Sequence, residues 1–280
     1  MEGPGEAGVA KHHRSMPRAW ADPTTVRTAK RFERAKSRTL WFRIGIVGGL
    51  LVAALLGTVL LAGPNSSSAG QNGHVDREVS TLLAGIPQQG RTLGASSAPV
   101  TLQLFADLED NDSKRWFLTL LPLIIRAFVR THILKIEYRA FKTNTLGSET
   151  FVKQQAAALA AGAQDKLWNY VDTFYHEQGT EYTPYVTESY IYGIARQIPG
   201  LNVVQWHKVR YDGRQVEEVV EEDQEGRANG IYVTPAYRLG RTGGPLKNLL
   251  GSEAITFPGQ LHPTTFATAN DVAKAIEQVH

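Results

Sequence analysis

The stretch that decides the fold is residues 98–113, which read APVTLQLFADLEDNDS. Aliphatic side chains alternate at Val100, Leu102 and Leu104, and this alternation predicts a β-strand over residues 100–105. An acidic turn follows over residues 107–112. A helical pattern begins near Ser113, so the stretch indicates a strand that turns directly into a helix.

The next two elements complete a strand–helix–strand unit. Apolar residues recur at helical spacing from Trp116 to Phe128, and Pro122 is predicted to kink this helix. Residues 133–141 then alternate again, with their even-numbered apolar side chains on one face. This order predicts two parallel strands joined by a helical crossover, and therefore an α/β fold.

Helical patterns fill about residues 147–226. They predict helices over residues 151–161, 165–178 and 215–225, and another that Thr187 caps. The acidic run in the last of these is interpreted as a solvated helix face; its members are Glu217, Glu218, Glu221, Glu222, Asp223 and Glu225. Residues 230–239 look like a strand that contains a proline. A closing helix begins with a capping box formed by Thr268 and Asp271.

Charge and composition exclude several classes of function. Residues 1–43 carry ten Lys or Arg and four Asp or Glu, so this basic tail has a net charge of +6 and the remainder has −3. The basic pI therefore gives no reason to expect a nucleic-acid partner. Without a single cysteine the chain has no disulfide, thiolate ligand or cysteine nucleophile. No motif calls for a cofactor or a metal, and no catalytic residue is predicted.

A hydrophobic segment without charges covers residues 44–62. At about 1.5 Å per residue it is roughly as long as a bilayer core is thick, which predicts a single transmembrane helix. The basic tail favours a cytoplasmic N-terminus, which would place the rest of the chain outside the cytoplasm as a single-pass cell-membrane protein. A cleaved signal peptide is the alternative, but the segment is longer than signal sequences require and follows a long lead.

Further predictions concern the segments on either side of the hydrophobic one and a glycine pair within it. The basic tail over residues 1–43 is predicted to be disordered, and residues 63–79 are predicted to be a linker rich in Ser, Gly and Asn, with a short helix from Val75. Gly45 and Gly49 form a G-x-x-x-G pair, a weak indication of helix pairing in the membrane.

Over residues 80–280 the sequence resembles the DsbA family of extracytoplasmic disulfide oxidoreductases. The resemblance is carried by ordered features: the lead at residues 98–100, residues 105–107 at the strand end, the kinked aromatic helix, residues 166–168 in the helical part, and residues 233–235. It implies a thioredoxin-like fold with a helical insertion at about residues 147–226.

The resemblance also implies where the active-site slot lies. In that family the slot holds Cys-x-x-Cys at a helix N-terminus, and here it reads Asp110, Asn111, Asp112 and Ser113. Thiol–disulfide exchange needs a sulfur nucleophile, so this chemistry is excluded. These residue types suit a simple helix cap. Calcium binding by the acidic loop is the alternative, although its spacing does not match the twelve-residue calcium loop.

The resemblance further aligns Pro235 with the family's cis-proline, which faces the slot. Thr234 precedes it and would offer backbone groups to an extended peptide. The aromatic residues of the helical insertion would either line a peptide groove or belong to the core; they include Trp168, Tyr170, Phe174 and Tyr175.

Two functional hypotheses follow. The first is a non-catalytic module that binds an extracytoplasmic peptide or protein, as a holdase, adaptor or assembly factor. The second is a different activity that uses carboxylates of the Asp107–Asp112 loop, with or without a metal. A purely structural domain within a larger membrane complex would leave the same sequence features as the first.

Overall fold

The structure, a computed structural model, describes residues 68–255 and 264–279. The predicted basic tail and membrane anchor lie outside these residues. In chain order the helices described are α1 (Ser68–Leu83), α2 (Asn111–Val129), α3 (Ser148–Gly162), α4 (Leu167–Glu177), α5 (Glu188–Gln197), α6 (Val203–Arg210), α7 (Arg214–Ala228) and α8 (Ala269–Val279). Among the described helices, none has both the length and the apolar character needed to cross a membrane.

Eight strands are described, in two sheets. They are β1 (Gln88–Gln89), β2 (Thr92–Leu93), β3 (Val100–Ala106), β4 (Leu134–Ala140), β5 (Ala236–Arg241), β6 (Lys247–Leu249), β7 (Glu253–Ile255) and β8 (Thr264–Phe266). The main sheet has the order β1-β2-β4-β3-β5-β6, and β7 pairs with β8 in a separate hairpin.

Strand β3 lies in the middle of the main sheet. It pairs in parallel with β4, where Leu102 lies opposite Ile136, and antiparallel with β5, where Leu104 lies opposite Tyr237. Every residue of β3 is buried, whereas burial alternates along β4. The predicted parallel pair and the predicted alternation of the second strand are therefore confirmed.

The sheet buries both of its faces. Leu102, Leu104 and Ile136 belong to the main hydrophobic core, which also contains the aromatic residues of α2 and α4. Phe105 points to the opposite face and packs edge-on against Phe141, with 6.2 Å between ring centroids. Helix α7 covers this second face.

Helix α2 alternates between α-helical and π-helical turns. Asn111–Arg115 and Leu121–Ile124 are α-helical, whereas Trp116–Leu120 and Ile125–Val129 are π-helical. The first π turn ends at Leu120, two residues before Pro122, where a kink was predicted. Pro122 has no N–H to donate, and the Leu121 N–H bonds the Trp116 carbonyl five residues back.

Several boundaries differ from the predicted ones. Helix α1 begins at Ser68 rather than Val75, so most of the segment predicted to be a linker is helical. Residues 230–235 are not part of a strand, because β5 begins only at Ala236. Helix α6 had no strong sequence pattern: Trp206 is its one fully buried apolar side chain, and Val203 and Val209 are only partly buried against the core.

The acidic run on α7 is not wholly solvated. Glu222 is only 3% exposed; its carboxylate accepts a hydrogen bond from the Ala140 N–H at 2.8 Å and pairs with Arg91. Asp223 accepts a hydrogen bond from the Lys142 N–H at 2.9 Å. The interpretation of the run as a solvated face is wrong for Glu222, because sequence pattern does not reveal that this glutamate caps the end of β4.

The C-terminal helix begins as predicted. The Thr268 side chain accepts a hydrogen bond from the Asp271 N–H at 3.2 Å, and the Asp271 carboxylate accepts one from the Thr268 N–H at 2.9 Å. The Asp271 carboxylate also bonds Ser252, which ties this helix to the segment that precedes β7. These bonds hold the pKa of Asp271 at about 2, because they outweigh the opposing effect of burial.

Candidate functional site

Asp110 is the N-cap of α2 and receives five hydrogen bonds. Its Oδ1 accepts from the Asp112 N–H at 3.3 Å and from Asn144 Nδ2 at 2.8 Å. Its Oδ2 accepts from the Ser113 N–H at 2.8 Å, the Ser113 hydroxyl at 2.7 Å and Thr234 Oγ1 at 2.8 Å. The carboxylate thus satisfies the first free N–H groups of the helix and also reaches across to Thr234.

Asp107 directly follows β3 and is fully buried, with several backbone N–H groups directed at its carboxylate. Its Oδ2 accepts from the N–H groups of Thr143, Asn144 and Thr145 at 2.8–3.0 Å. Its Oδ1 accepts from the Glu109 N–H at 3.1 Å and from the Thr145 hydroxyl. Consecutive N–H groups that converge on one oxygen form an anion-binding concavity, and here the anion is the protein's own carboxylate.

The residues predicted for the slot and for the proline loop come together. The Thr234–Pro235 peptide bond is cis, and the Thr234 hydroxyl lies 2.5 Å from the Thr143 hydroxyl and 2.8 Å from Asp110 Oδ2. A continuous chain of hydrogen bonds therefore runs from Asp107 through Thr143 and Thr234 to Asp110. It joins the end of β3, the loop after β4, the loop before β5 and the start of α2.

The outer edge of the site contains two residues, Glu181 and Asn144, that no sequence pattern indicated. Glu181 accepts hydrogen bonds from Asn144 Nδ2 at 2.6 Å and from Asn111, whose N–H and Nδ2 lie at 3.3 and 3.0 Å. Glu181 and Asn144 come from loops without a recognisable motif. Asn111 is exposed, Asp112 is half-buried and Ser113 is buried.

Burial controls the electrostatics of the acidic loop. It raises the pKa of Asp110 to about 7, although the hydrogen bonds from Ser113 and Thr234 partly oppose it. Burial also raises the pKa of Glu109 to about 7, and the neighbouring charge of Asp107 adds to that effect. Two carboxyls of one loop thus titrate near neutral pH.

The arrangement nevertheless leaves little for carboxylate or metal chemistry. Both oxygens of Asp110 already accept hydrogen bonds and the residue is 2% exposed, so its lone pairs do not face a substrate. Asp107 is engaged in the same way. Within residues 68–255 and 264–279, no three His, Asp or Glu side chains are grouped so that they would hold a metal ion.

The aromatic residues of α4 belong to the core. Trp168, Tyr170, Phe174 and Tyr175 are each at most 1% exposed, so they do not line a peptide groove. The apolar side chains that do face solvent near the slot are others: Tyr232 and Val233 are 75% and 62% exposed. They immediately precede Thr234 and had been predicted to lie in a strand.

Comparison with known proteins agrees with this geometry. A curated relative from Bacillus anthracis, described as a probable disulfide bond formation protein D, is 24% identical over 209 residues, which cover 72% of this chain and 87% of the relative. The crystal structure of oxidised BdbD from Bacillus subtilis matches 69% of this chain and 96% of its own, with a TM-score of 0.52 and 15% identity. The fold is that of DsbA-like thioredoxin-fold proteins.

A second DsbA-like structure supports this identification. Alpha-DsbA1 from Wolbachia pipientis matches 70% of this chain and 92% of its own, with a TM-score of 0.51 and 13% identity. No family model matches the chain. The resemblance predicted from residues 80–280 is confirmed, and the chain contains no cysteine.

Proposed function

We propose that this chain is a membrane-anchored, extracytoplasmic DsbA-like protein that binds a peptide or protein partner without catalysing thiol–disulfide exchange. The observation that carries the proposal is the carboxylate of Asp110 at the N-terminus of α2. It occupies the donors that would otherwise stabilise a thiolate, and it bonds the Thr234 hydroxyl directly. The slot is therefore closed by a hydrogen-bonded cap.

The surface beside this cap suits an extended peptide. Tyr232 and Val233 expose apolar side chains, and in the described part of the chain their backbone N–H and C=O groups make no hydrogen bond. A segment with unpaired backbone groups is able to form hydrogen bonds with the backbone of an extended peptide. The partner would contact Tyr232 and Val233 through apolar side chains while its backbone pairs with theirs.

The membrane anchor in this proposal is supported by the sequence. Residues 44–62 are free of charges and follow a tail of net charge +6. In intact cells, a membrane-impermeant amine reagent is expected to label Lys208 and Lys247 but not Lys11 or Lys30. Labelling of the tail lysines, or release of the domain from the membrane by cleavage, would contradict this topology.

Peptide binding is tested with the full chain in a neutral detergent. Fluorescence anisotropy of a labelled, extended apolar peptide is expected to show binding that Val233→Asp weakens by at least about tenfold. Val204→Asp is the matched control, because Val204 is 68% exposed on α6, outside the proposed surface. Equal effects of the two substitutions, or binding by neither variant nor the native chain, would contradict the proposal.

A further inference from the structure

A cavity of about 510 Å³ lies between α1 and α2, apart from the slot. Leu82, Pro122 and Ile125 contribute apolar surface, and Arg77, Arg126 and Arg130 contribute three guanidinium groups. We call it the arginine cavity. Its volume falls in the range of small-molecule sites, which combine apolar walls with a few convergent polar groups.

The three arginines are poorly neutralised. Within the described residues, the guanidinium groups of Arg77 and Arg126 form no ion pair and no hydrogen bond. Arg130 is held by two carbonyl oxygens at the end of α1: its Nη1 lies 3.0 Å from the Ala84 oxygen and its Nη2 lies 2.9 Å from the Leu82 oxygen. These carbonyls fix the guanidinium in place but do not cancel its charge.

One acidic residue also lines the arginine cavity, and it does not balance the charge. Glu78 lies 3.5 Å from His74, measured from Oε1 to Nδ1, and the cavity keeps a net charge of about +2 when His74 is neutral. Arg126 lies in the last turn of α2 and Arg130 directly follows that helix; both line the cavity, so their like charges repel each other. An anion bound between them would remove that repulsion.

The backbone of α2 is unusual at this point. Ile125–Val129 is a π-helical turn, and the Arg130 N–H bonds the Ile125 carbonyl at 3.0 Å. Two residues of this turn, Ile125 and Arg126, line the cavity. π turns occur frequently at functional sites, and this one places Ile125 and Arg126 beside the cavity.

We propose that the arginine cavity binds the phosphate-bearing headgroup of an anionic phospholipid. A guanidinium group can donate two parallel hydrogen bonds to the oxygens of one phosphate. The apolar surface of Leu82, Pro122 and Ile125 suits the glycerol and the first acyl carbons of the lipid. Helix α1, which carries Arg77, is the first described element after the predicted anchor. The choice of a lipid thus rests on the membrane anchoring proposed above, whereas the anion site itself does not.

The test is calorimetric titration of the full chain in a neutral detergent with dihexanoylphosphatidylglycerol. Dihexanoylphosphatidylcholine and inorganic phosphate are titrated in parallel. The anionic lipid is expected to bind, the zwitterionic lipid to bind at least about tenfold more weakly, and phosphate to bind more weakly than the anionic lipid. Affinity for the anionic lipid should fall as salt is added.

Variants locate the site. Arg77→Gln combined with Arg126→Gln is expected to weaken binding by at least about tenfold, whereas Arg196→Gln combined with Lys208→Gln removes the same charge from α5 and α6 and should leave it within about twofold. Equal loss in both double variants, phosphate binding as tight as lipid binding, or no binding of the anionic lipid would overturn the proposal. Peptide binding at Val233 is measured separately, so either proposal can fail without the other.

Discussion

At the N-terminus of α2 a single side chain determines the state of the slot. Asp110 accepts five hydrogen bonds from four residues, and it is almost completely buried. Asp110→Ala would remove the N-cap and leave buried donors without acceptors. We expect it to lower the free energy of unfolding by about 2–4 kcal/mol, measured by urea denaturation of the full chain.

Asn111→Ala is the matched control for this substitution. Asn111 follows Asp110 directly, but its side chain is exposed and bonds only Glu181 at the edge of the site. We expect a change within about 0.5 kcal/mol. If Asp110→Ala lowered the free energy of unfolding no more than Asn111→Ala does, the Asp110 cap would not stabilise the slot. That result would contradict the observation on which the proposed function rests.

A second buried carboxyl, Asp172 on α4, differs from Asp110 in its hydrogen bonding. It is 4% exposed, no described residue donates a hydrogen bond to it, and burial together with the charge of Glu78 raises its pKa to about 7. Because the folded pKa lies above the unfolded value of about 4, the folded state binds this proton more tightly. The resulting stability is complete below pH 4 and is lost as the pH rises towards 7.

Asp172→Asn should therefore remove the part of the pH dependence that Asp172 contributes, whereas Asp110 and Glu109, whose pKa values burial also raises to about 7, keep theirs. We expect the variant and the native chain to have similar urea midpoints at pH 4, and the variant to be more stable by roughly 2–4 kcal/mol at pH 8. Glu221→Gln, an exposed acid on α7, is the control and should leave the pH profile unchanged. A native chain whose stability does not fall between pH 4 and 8 would contradict the assignment.

At the scale of the element, two helical glycines make opposite predictions. A Cβ added at Gly226 on α7 would lie 2.5 Å from Phe141 Cδ2 and 3.2 Å from Phe105 Cδ1, both of which are rings packed on the second sheet face. A Cβ at Gly193 on α5 would meet no atom within 4 Å. Neither glycine has a positive φ, so the surroundings decide the outcome.

We expect Gly226→Ala to lower the free energy of unfolding by about 1–2 kcal/mol, because the clash exceeds the helix-propensity gain. Gly193→Ala should raise it by roughly 0.5–1 kcal/mol through propensity alone. Both are measured by urea denaturation at one pH. Stabilisation by Gly226→Ala would show that α7 can move away from the sheet, contrary to the close packing described.

Local sequence patterns predicted some of these elements but not all of their contacts. The alternation at Leu134–Ala140 and the Thr268–Asp271 capping box are local signals, and the structure contains both. The role of Glu222 is different, because a helix pattern places it on an acidic face but only the folded chain brings it to the Ala140 N–H. The start of α1 at Ser68 was missed because Ser and Gly have low helix propensity.

For the whole molecule, the order of elements was predictable and the contacts of the site were only partly so. The resemblance to the DsbA family identified Asp110 and Thr234, whose side chains the fold brings to 2.8 Å of each other. Asn144 and Glu181 could not be found, because their loops have no period or motif and their positions follow from the packing of distant elements. Tyr232 and Val233 were predicted to lie in a strand, so the exposure of their side chains to solvent was not expected.

The closed slot leads to a prediction about the entire scaffold. The side chains of Asp110 and Ser113 are in hydrogen-bond contact at a helix N-terminus and have the Cys-x-x-Cys spacing, so cysteines at these two positions would lie side by side where the helix favours a thiolate. We expect the Asp110→Cys/Ser113→Cys variant to form an intrachain disulfide, seen as the loss of two hydrogens by mass spectrometry. It should also oxidise a model dithiol, which the native chain cannot do.

The control for this variant is Asn111→Cys/Ser113→Cys, which introduces the same two thiols with a different spacing. Asn111 is exposed and its side chain bonds Glu181, away from Ser113, so we expect its thiol pair to stay reduced under the same conditions. If the Asp110→Cys/Ser113→Cys pair also stayed reduced, the scaffold would differ from a disulfide oxidoreductase by more than its missing sulfur. If it became active, the loss of exchange chemistry would lie in the slot side chains, with the surrounding fold intact.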